Sequence, residues 1–319
     1  MLRYLGLTIG PQAPNKIKRF SLDEVIKISD KIRKFFPEID GIEIRFGDVR
    51  DKETGAITEA GPSVDEIFNA LEELDDRFDS IAFHLSEHTL DLLQNGKLGD
   101  HNSFLDDFDH VVGHLTEYEN LWAKIVDDTY SKTMHFEPYV LRKILVENGS
   151  KDSFRYIARF ANRRKAAMVY DTGHHAQAFQ TVDPKRNKFY DSIKPYITRA
   201  DGEYGYVSRR KLEWLRSMAY AIRHAHVHGV RVKETDEGCD WEDHVPLESR
   251  KNWTTPVQAG IIAVLLDNAP NFGGYTIELN RTHIIDRENK ITLDNIGNTM
   301  YAFEKKRFNW RWNIKYVKE

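Results

Sequence analysis

A single cysteine, Cys239, occurs among the 319 residues of the sequence. One cysteine cannot form a disulfide framework, and it excludes a metal site built from several thiolates. No apolar run reaches the about 18 residues that a membrane-spanning helix needs. Residues 1–10 also lack the basic start, apolar stretch and small-residue cleavage site of a signal peptide. These absences predict a cytoplasmic protein that does not enter a membrane.

Glycine-rich phosphate-binding motifs are missing as well. No G-x-G-x-x-G follows the first predicted strand, and G-x-x-x-x-G-K-[ST] occurs nowhere. The 46 lysines and arginines against 50 aspartates and glutamates give a net charge of −4, which excludes a uniformly basic surface but not a local basic patch. The sequence does contain 13 histidines, and its hydrophobic fraction of 40% can bury a large core.

Short apolar, β-branched segments alternate with longer amphipathic ones along the chain. They predict eight strands, at 2–8, 41–46, 80–85, 110–115, 133–137, 166–171, 222–228 and 275–279. Helices are predicted at 21–36, 63–74, 117–130, 139–148, 152–164, in a stretch ending near 220, at 255–268 and at 295–307. Ser21 and Ser63 each open an S-x-x-E capping box, which marks a helix start.

Eight strands that alternate with helices predict βαβ units and a parallel sheet. We expect a single (β/α)8 TIM barrel, with extended loops after strands six and seven, rather than an open doubly wound sheet. Because no linker or low-complexity segment interrupts the chain, we predict one domain over 1–319. Its core spans about 2–307, and a basic, aromatic tail covers 305–319.

Imidazoles and carboxylates recur at the carboxyl ends of the predicted strands and in the turns that follow. They are His84, His114, Glu137, Asp171, His174, His226, Glu242, His244 and Glu278. Catalytic groups of TIM barrels lie at this end, so we expect these side chains to converge on one mouth. Nitrogen and oxygen donors of this kind suit zinc, manganese or iron better than a calcium or magnesium cage.

Strand seven and strand eight carry the least usual residues. The segment HAHVHG places His224, His226 and His228 on one face of a strand, where three buried imidazoles without an ion would be poorly satisfied. Because His226 and His228 lie on the same face of the strand, the alternation does not decide which of them is the ligand. Glu278 is an ionisable group in an otherwise apolar strand, typical either of a ligand or of a salt-bridged carboxylate.

The order Glu, Asp-x-x-His, His, Glu on strands five to eight resembles that of the xylose-isomerase-like TIM barrels. This superfamily includes sugar isomerases and epimerases and the endonuclease IV family of DNA-repair enzymes. The motifs cover about residues 40–280. The resemblance implies that Glu137, Asp171, His226 and Glu278 hold a divalent metal, since the corresponding residues do so in the superfamily.

Further positions resemble endonuclease IV, whose additional ligands hold three zinc ions in all. His84, His114, His174 and His244 fall at the matching places, and DTGH at 171–174 matches the D-T-x-H turn of that family. Glu242 stands where the family has aspartate, and the family's glycine-rich N-terminal signature is not visible.

A local pattern also resembles putative sugar-phosphate isomerases. The segments HVHG and DWEDHVPL correspond to H-x-H-D-N and D-x-H-x-P-L, with Gly229 and Val230 in place of the D-N pair. The spacing of HVH and DH aligns best from His226, which we therefore favour as the strand-seven ligand.

The resemblance implies two alternative mechanisms. In hydrolysis, two or three zinc ions activate a water and stabilise a phosphodiester. Glu137 would bridge the ions, while Asp171, His174, His226 and His244 complete the shells. In isomerisation, one manganese or cobalt ion polarises a sugar, and Glu137 and Glu278 move a proton. His84, His114 and His244 would then bind the substrate.

The number of imidazoles favours hydrolysis, because one ion does not need so many ligands. We therefore predict a zinc phosphodiesterase, with Glu137, Glu278 and His174 as catalytic residues, acting on abasic DNA. A metal-dependent isomerase or epimerase of sugar phosphates is the alternative. A metal-binding barrel without catalytic activity is the third possibility.

The segment 305–318 (KKRFNWRWNIKYVK) combines basic and aromatic residues. Six lysines and arginines alternate with Phe308, Trp310, Trp312 and Tyr316. Aromatic side chains beside cations are typical of nucleic-acid-binding surfaces. The alternative is a closing segment whose aromatic side chains pack on the barrel.

Overall fold

The computed structural model describes most of the chain. The described residues are 1–11, 19–50, 57–99, 101–115, 119, 143–149, 154–164, 166–179, 198–199, 205–208, 213, 216–235, 238–247, 256–306 and 314–317.

The strands are β1 (Leu2–Ile9), β2 (Gly41–Phe46), β3 (Val49–Arg50), β4 (Ile57–Glu59), β5 (Ser80–His84), β6 (Val111–His114), β7 (Ile144–Glu147), β8 (Ala167–Asp171), β9 (Thr198–Arg199), β10 (Gly205–Ser208), β11 (Ile222–Val227), β12 (Gly229–Thr235), β13 (Gly238–Val245), β14 (Gly274–Glu278) and β15 (Ile314–Val317). Eight of them close into a barrel in the order β1-β14-β11-β8-β7-β6-β5-β2. The predicted (β/α)8 barrel is confirmed.

The helices among the described residues are α1 (Leu22–Phe35), α2 (Val64–Asp75), α3 (Glu87–Gln94), α4 (His101–Asp106), α5 (Phe154–Arg164), α6 (Thr172–Phe179), α7 (Pro256–Asp267), α8 (Arg281–Ile284) and α9 (Asp294–Tyr301), which continues as a π-helical turn (Ala302–Lys306). Both predicted capping boxes are present, at Ser21 with Glu24 and at Ser63 with Glu66. Among the described residues, no helix combines the length and apolar character needed to cross a bilayer.

Contacts divide the chain into two compact units. The first unit consists of Leu2–Val146 and Asn280–Ile291. Within it, β1 and β2 pair in parallel, with Leu5 opposite Ile42, and β2 pairs with β5 in the same way. Helix α8 is joined to α1 by an ion pair between Arg281 and Glu24, whose Nε and carboxylate oxygens are 3.1 Å apart.

The second unit contains Glu147–Leu279 and Thr292–Glu319. In it, β11 pairs in parallel with β8 and with β14, so that His226 lies opposite Asp171 on one side and Thr276 on the other. Strand β7 contributes only its last residue, Glu147, to this unit, and every residue of the strand is buried, as expected of a strand covered on both faces. The register of these strands decides which side chains can meet at their carboxyl ends.

The fifth barrel strand is not where the sequence predicts it. It is β7, which lies within the predicted helix at 139–148, so the helix prediction is wrong at Ile144–Glu147. The run ILVE is apolar at every position except its last, and a fully buried strand of this kind has no period-two pattern to separate it from a helix. Glu137 and the predicted strand around it fall outside the described residues.

The loops hold elements that the sequence analysis did not predict. Strands β12 and β13 form an antiparallel hairpin directly after β11, and β3 pairs with β4 after β2. At the end of the chain, β15 pairs in parallel with β10. The aromatic residues Phe308, Trp310 and Trp312 lie outside the described residues, as does most of the predicted helix at 117–130.

Candidate metal centre

Four residues of the second unit that can bind a metal lie at the carboxyl ends of barrel strands. Glu147, Asp171 and Glu278 are the last residues of β7, β8 and β14, and His226 is the penultimate residue of β11. Glu147, Asp171 and His226 are at most 1% exposed. The Glu278 side chain retains 16% of its exposure. Two buried carboxylates with a third, partly exposed carboxylate close by require compensating positive charge.

The four groups lie within a few ångströms of one another. His226 Nδ1 is 3.5 Å from Glu147 Oε1 and 3.4 Å from Glu278 Oε2. Ligand atoms of Glu147, Asp171 and His226 all fall within 4.8 Å of each other. Atoms that share a zinc ion at 2.0–2.2 Å are about 3 to 4 Å apart, so this spacing suits a common ion.

His174 joins the same cluster from the turn after β8. Its backbone N–H donates to Asp171 Oδ1 at 2.6 Å. Its Nδ1 is 3.2 Å from Asp171 Oδ2, 3.3 Å from Glu147 Oε1 and 3.0 Å from the Asn148 carbonyl oxygen. All three neighbours are acceptors, so Nδ1 carries a proton and Nε2 is the nitrogen left to bind an ion.

The carboxylates change the acidity of the neighbouring imidazoles. Burial lowers the pKa of His174, but the charge of Asp171 and the hydrogen bond and charge of Glu147 outweigh it and raise the pKa to about 9. At His244, burial is likewise outweighed by Asp243 and Glu278, and the pKa rises to about 10. Without a metal, protonated imidazoles therefore balance the buried negative charge.

His228 supports Asp171 from its other side. The ring is fully buried, and Nε2 is 3.2 Å from Asp171 Oδ2. His228 Nδ1 lies 3.0 Å from the His244 backbone nitrogen and 3.1 Å from the Gly229 carbonyl oxygen, so both ring nitrogens of His228 have polar neighbours. The two rings stack, with centroids 4.2 Å apart. A second group of donors, His228, His244 and Glu278, also has its ligand atoms within 4.8 Å.

Two residues next to the His228 ring, Gly173 and His244, have unusual local requirements. A Cβ added to Gly173 would lie 2.0 Å from a carbon of the His228 ring, so a side chain there would collide with the imidazole. His244 has a positive φ of 53°, which is uncommon for a residue other than glycine. Such a conformation at a functional site is maintained by its surroundings.

Glu242 contacts a different partner from the one that the resemblance implies. Its Oε2 accepts from Arg231 Nε at 3.0 Å and Arg231 Nη2 at 2.9 Å, across the β12–β13 hairpin. Asp243 lies beside His244 instead, with Oδ1 3.3 Å from Nδ1. Nε2 of His244 is 3.4 Å from Glu278 Oε2, so His244 is the residue of this segment that lies next to the cluster.

The remaining strand-seven histidine, His224, has its own hydrogen bond. Its Nε2 lies 2.8 Å from Thr276 Oγ1 on β14, and the residue is 4% exposed. All three histidines of HAHVHG are buried, but His226 is the one whose ring nitrogen lies between two of the carboxylates.

In the first unit, His84 and His114 are the last residues of β5 and β6. Their ring centroids are 5.5 Å apart. His84 is 3% exposed, and its Nδ1 is 2.9 Å from the Leu85 carbonyl oxygen, so Nδ1 donates and Nε2 can accept or bind an ion. The structure therefore places these two predicted ligands side by side.

Three residues near these sites were missed by the sequence analysis. Glu147 and Asn148 follow the apolar run ILV, and a polar pair ending such a run could have indicated a strand end. Glu43, which is 2% exposed and has Oε2 3.6 Å from His110 Nε2, interrupts the apolar strand GIEIRF. That is the same signal that identified Glu278.

Comparison with known proteins gives no family assignment, since no family model and no curated protein matches the chain. Among solved structures, 7,8-dihydropteroate synthase from Vibrio fischeri ES114 shows 15% identity and a TM-score of 0.32, over 60% of this chain and 80% of that chain. Dihydropteroate synthase from Anaplasma phagocytophilum with bound 6-hydroxymethylpterin-monophosphate shows 10% identity and a TM-score of 0.30, over 60% of this chain and 86% of that chain. Cellulose synthase subunit Z (CcsZ) from Clostridioides difficile shows 12% identity and a TM-score of 0.34, over 94% of this chain and 99% of that chain. At TM-scores this low, the activity has to be argued from the geometry of the site itself.

Proposed function

We propose that this chain is a divalent-metal-dependent hydrolase of phosphodiesters, with zinc as the metal and abasic DNA as the substrate. The observation that carries the proposal is the number of converging donors. One group consists of Glu147, Asp171 and His226, and a second of His228, His244 and Glu278, with His174 beside the first. This is more than one ion requires.

The donor chemistry fits divalent metal ions. Neutral imidazoles and carboxylates are the nitrogen and oxygen ligands that zinc binds in enzymes. The raised pKa values of His174 and His244 report a concentration of negative charge that a cation would neutralise as well as protons do.

Glu147 takes the role that the resemblance implied for Glu137, because it is the glutamate at the end of the fifth barrel strand. Glu147, Asp171, His226 and Glu278 would hold one ion, and His174 and His244 would hold another. His84 and His114 remain predicted ligands of a further ion.

Zinc bound there would activate water at neutral pH and stabilise charge on the phosphate oxygens. The residues of the chain would provide orientation. Glu147, buried beside His226 and His174, would direct the attacking water. Glu278, the most exposed of the three carboxylates, would face the substrate. The contacts of His174 Nδ1 with Asp171, Glu147 and Asn148 would orient its ring so that Nε2 faces the ion.

A sugar-phosphate isomerase is the second candidate, and one observation favours it. Glu147 Oε1 and Glu278 Oε2 approach the same nitrogen of His226, at 3.5 and 3.4 Å. Two glutamates close to one metal site are what proton transfer at a sugar carbon needs. Manganese or cobalt would then be the metal.

Metal analysis of protein purified without added metal separates the candidates. Two or three zinc ions per chain support the hydrolase, and one manganese or cobalt ion supports the isomerase. The hydrolase should nick abasic DNA without added magnesium, resist brief EDTA treatment and lose activity after prolonged chelation. Proton exchange on a ketose without nicking would replace this proposal by the isomerase, and metal binding without either activity would indicate a non-catalytic barrel.

A further inference from the structure

Asn148 lies in the second unit, between the carboxyl ends of β7 and β8. It directly follows Glu147, the last residue of β7, and it is 1% exposed. Its neighbour across the gap is Asp171, the last residue of β8. Parallel strands diverge where they leave a barrel, so main-chain groups at such ends lose their ladder partners and need others.

The Asn148 side chain supplies both partners to Asp171. Its Nδ2 donates to the Asp171 carbonyl oxygen at 3.1 Å. Its Oδ1 accepts from the Asp171 backbone N–H at 2.9 Å. The side-chain amide therefore makes the two hydrogen bonds that a neighbouring peptide group would make to Asp171. These bonds fix the main chain of Asp171 and so the position of its carboxylate.

The main chain of Asn148 contributes a third contact. Its carbonyl oxygen lies 3.0 Å from His174 Nδ1, close enough to accept the proton on that nitrogen. A hydrogen bond at one ring nitrogen of a histidine selects the other nitrogen for the metal. One residue thus touches Asp171 and His174 and is covalently joined to Glu147.

We propose that Asn148 is a positioning residue for the metal centre, which sets the geometry of three ligands without binding the ion itself. The inference rests on the proposed function only in requiring that these ligands hold a metal. Asn148 also satisfies buried main-chain groups, so a purely structural role has to be separated from positioning by a readout of the metal itself.

Cobalt binding provides that readout, because its visible absorption reports ligand geometry. In Asn148→Ala, the Co²⁺ affinity of the metal-free protein should fall about 10- to 100-fold, the usual cost of losing an outer-shell partner, and the absorption bands should shift. Asn268→Ala is the matched control. Asn268 also uses both ends of its amide, donating to the Val264 carbonyl at 2.7 Å and accepting from Arg216 Nε at 2.7 Å, at the end of α7. It should cost stability without changing the cobalt spectrum.

If the alanine variant does not fold, Asn148→Asp tests the positioning role instead. It retains the acceptor for the Asp171 N–H, loses the donor to the Asp171 carbonyl and adds a negative charge near the centre. The charge alone would strengthen cation binding, whereas loss of positioning weakens it, so we expect weaker cobalt binding. Wild-type affinity and spectrum in Asn148→Ala, or equal or tighter binding in Asn148→Asp, would overturn the inference. Failure of the wild-type chain to bind cobalt would instead overturn the proposed function.

Discussion

His174 and His175 are adjacent in the chain but lie in opposite chemical surroundings. His174 faces Asp171 and Glu147, and its pKa rises to about 9. On the other side of the same turn, the Tyr170 hydroxyl donates to His175 Nδ1, and burial lowers the pKa of His175 to about 3. Burial alone therefore does not distinguish the two histidines. The difference is the pair of carboxylates at 3.2 and 3.3 Å from His174 Nδ1.

The largest expected effect comes from replacing Asp171, the carboxylate next to His174. In Asp171→Ala, the metal affinity should fall by more than the about 10- to 100-fold that loss of an outer-shell partner costs, and activity should be abolished. The substitution removes a proposed ligand and also the hydrogen-bond partner of His174 and His228. The barrel should remain folded, since residues at the carboxyl ends of the strands serve the site. Metal analysis and circular dichroism check this, and a variant with full metal content would rule out Asp171 as a ligand.

Paired substitutions compare the two histidines directly. His174→Ala should lower metal content and activity. His175→Ala should keep its metal but unfold more easily, by about 1–3 kcal/mol, because a buried hydrogen-bonded group is removed beside the Tyr170 hydroxyl. Metal content and thermal unfolding distinguish the two. If both variants lost metal equally, the contrast between the two sides of the turn would be wrong.

The pair His84 and His114, whose ring centroids are 5.5 Å apart in the first unit, extends the comparison to a second set of predicted ligands. His84→Ala and His114→Ala should each lower the metal stoichiometry below that of the wild type if they hold a further ion. Unchanged stoichiometry with only a higher KM would make them substrate contacts, and would favour the isomerase. Metal analysis combined with steady-state kinetics decides between these outcomes.

The smallest effects concern pH, and the two histidines should act in opposite directions in the metal-free protein. The folded pKa of His174 lies above the usual value near 6.5, so its contribution to stability is complete below pH about 6.5 and is lost as pH rises through about 9. His244 acts in the same sense up to about 10.

The folded pKa of His175 lies below the usual value, so its contribution is present above pH about 6.5 and is lost as pH falls towards about 3. Urea unfolding across this range should show His174→Ala flattening the alkaline side and His175→Ala flattening the acid side. Identical pH curves for both variants would contradict the assigned surroundings.

The sequence predicts the fold well because the barrel repeats one local pattern. Capping boxes at Ser21 and Ser63 and most strands lie close to their predicted positions. Strand β7 was missed because an apolar segment that is buried on both faces has no alternation. The difference also concerns the site, because the glutamate at the end of the fifth barrel strand is Glu147, whereas the predicted Glu137 lies outside the described residues.

Much of the candidate site also follows from the sequence, since a strand end fixes where a side chain lies. Asp171, His174, His226, His244 and Glu278 lie together in the second unit as the pattern implied. What the pattern could not supply is the choice among nearby groups. The ion pair of Glu242 with Arg231 depends on the register of the β12–β13 hairpin, which no local signal in the sequence specifies.

The collision at Gly173 has a consequence for how the sequence can vary. The His228 ring fills the space that a Cβ at 173 would need, so neither position can be altered as if the other were constant. Gly173→Ala should be tolerated only in a background where His228 has already been replaced by a smaller residue. In a library that randomises both codons, alanine at 173 should survive only together with a small residue at 228, as an epistatic pair.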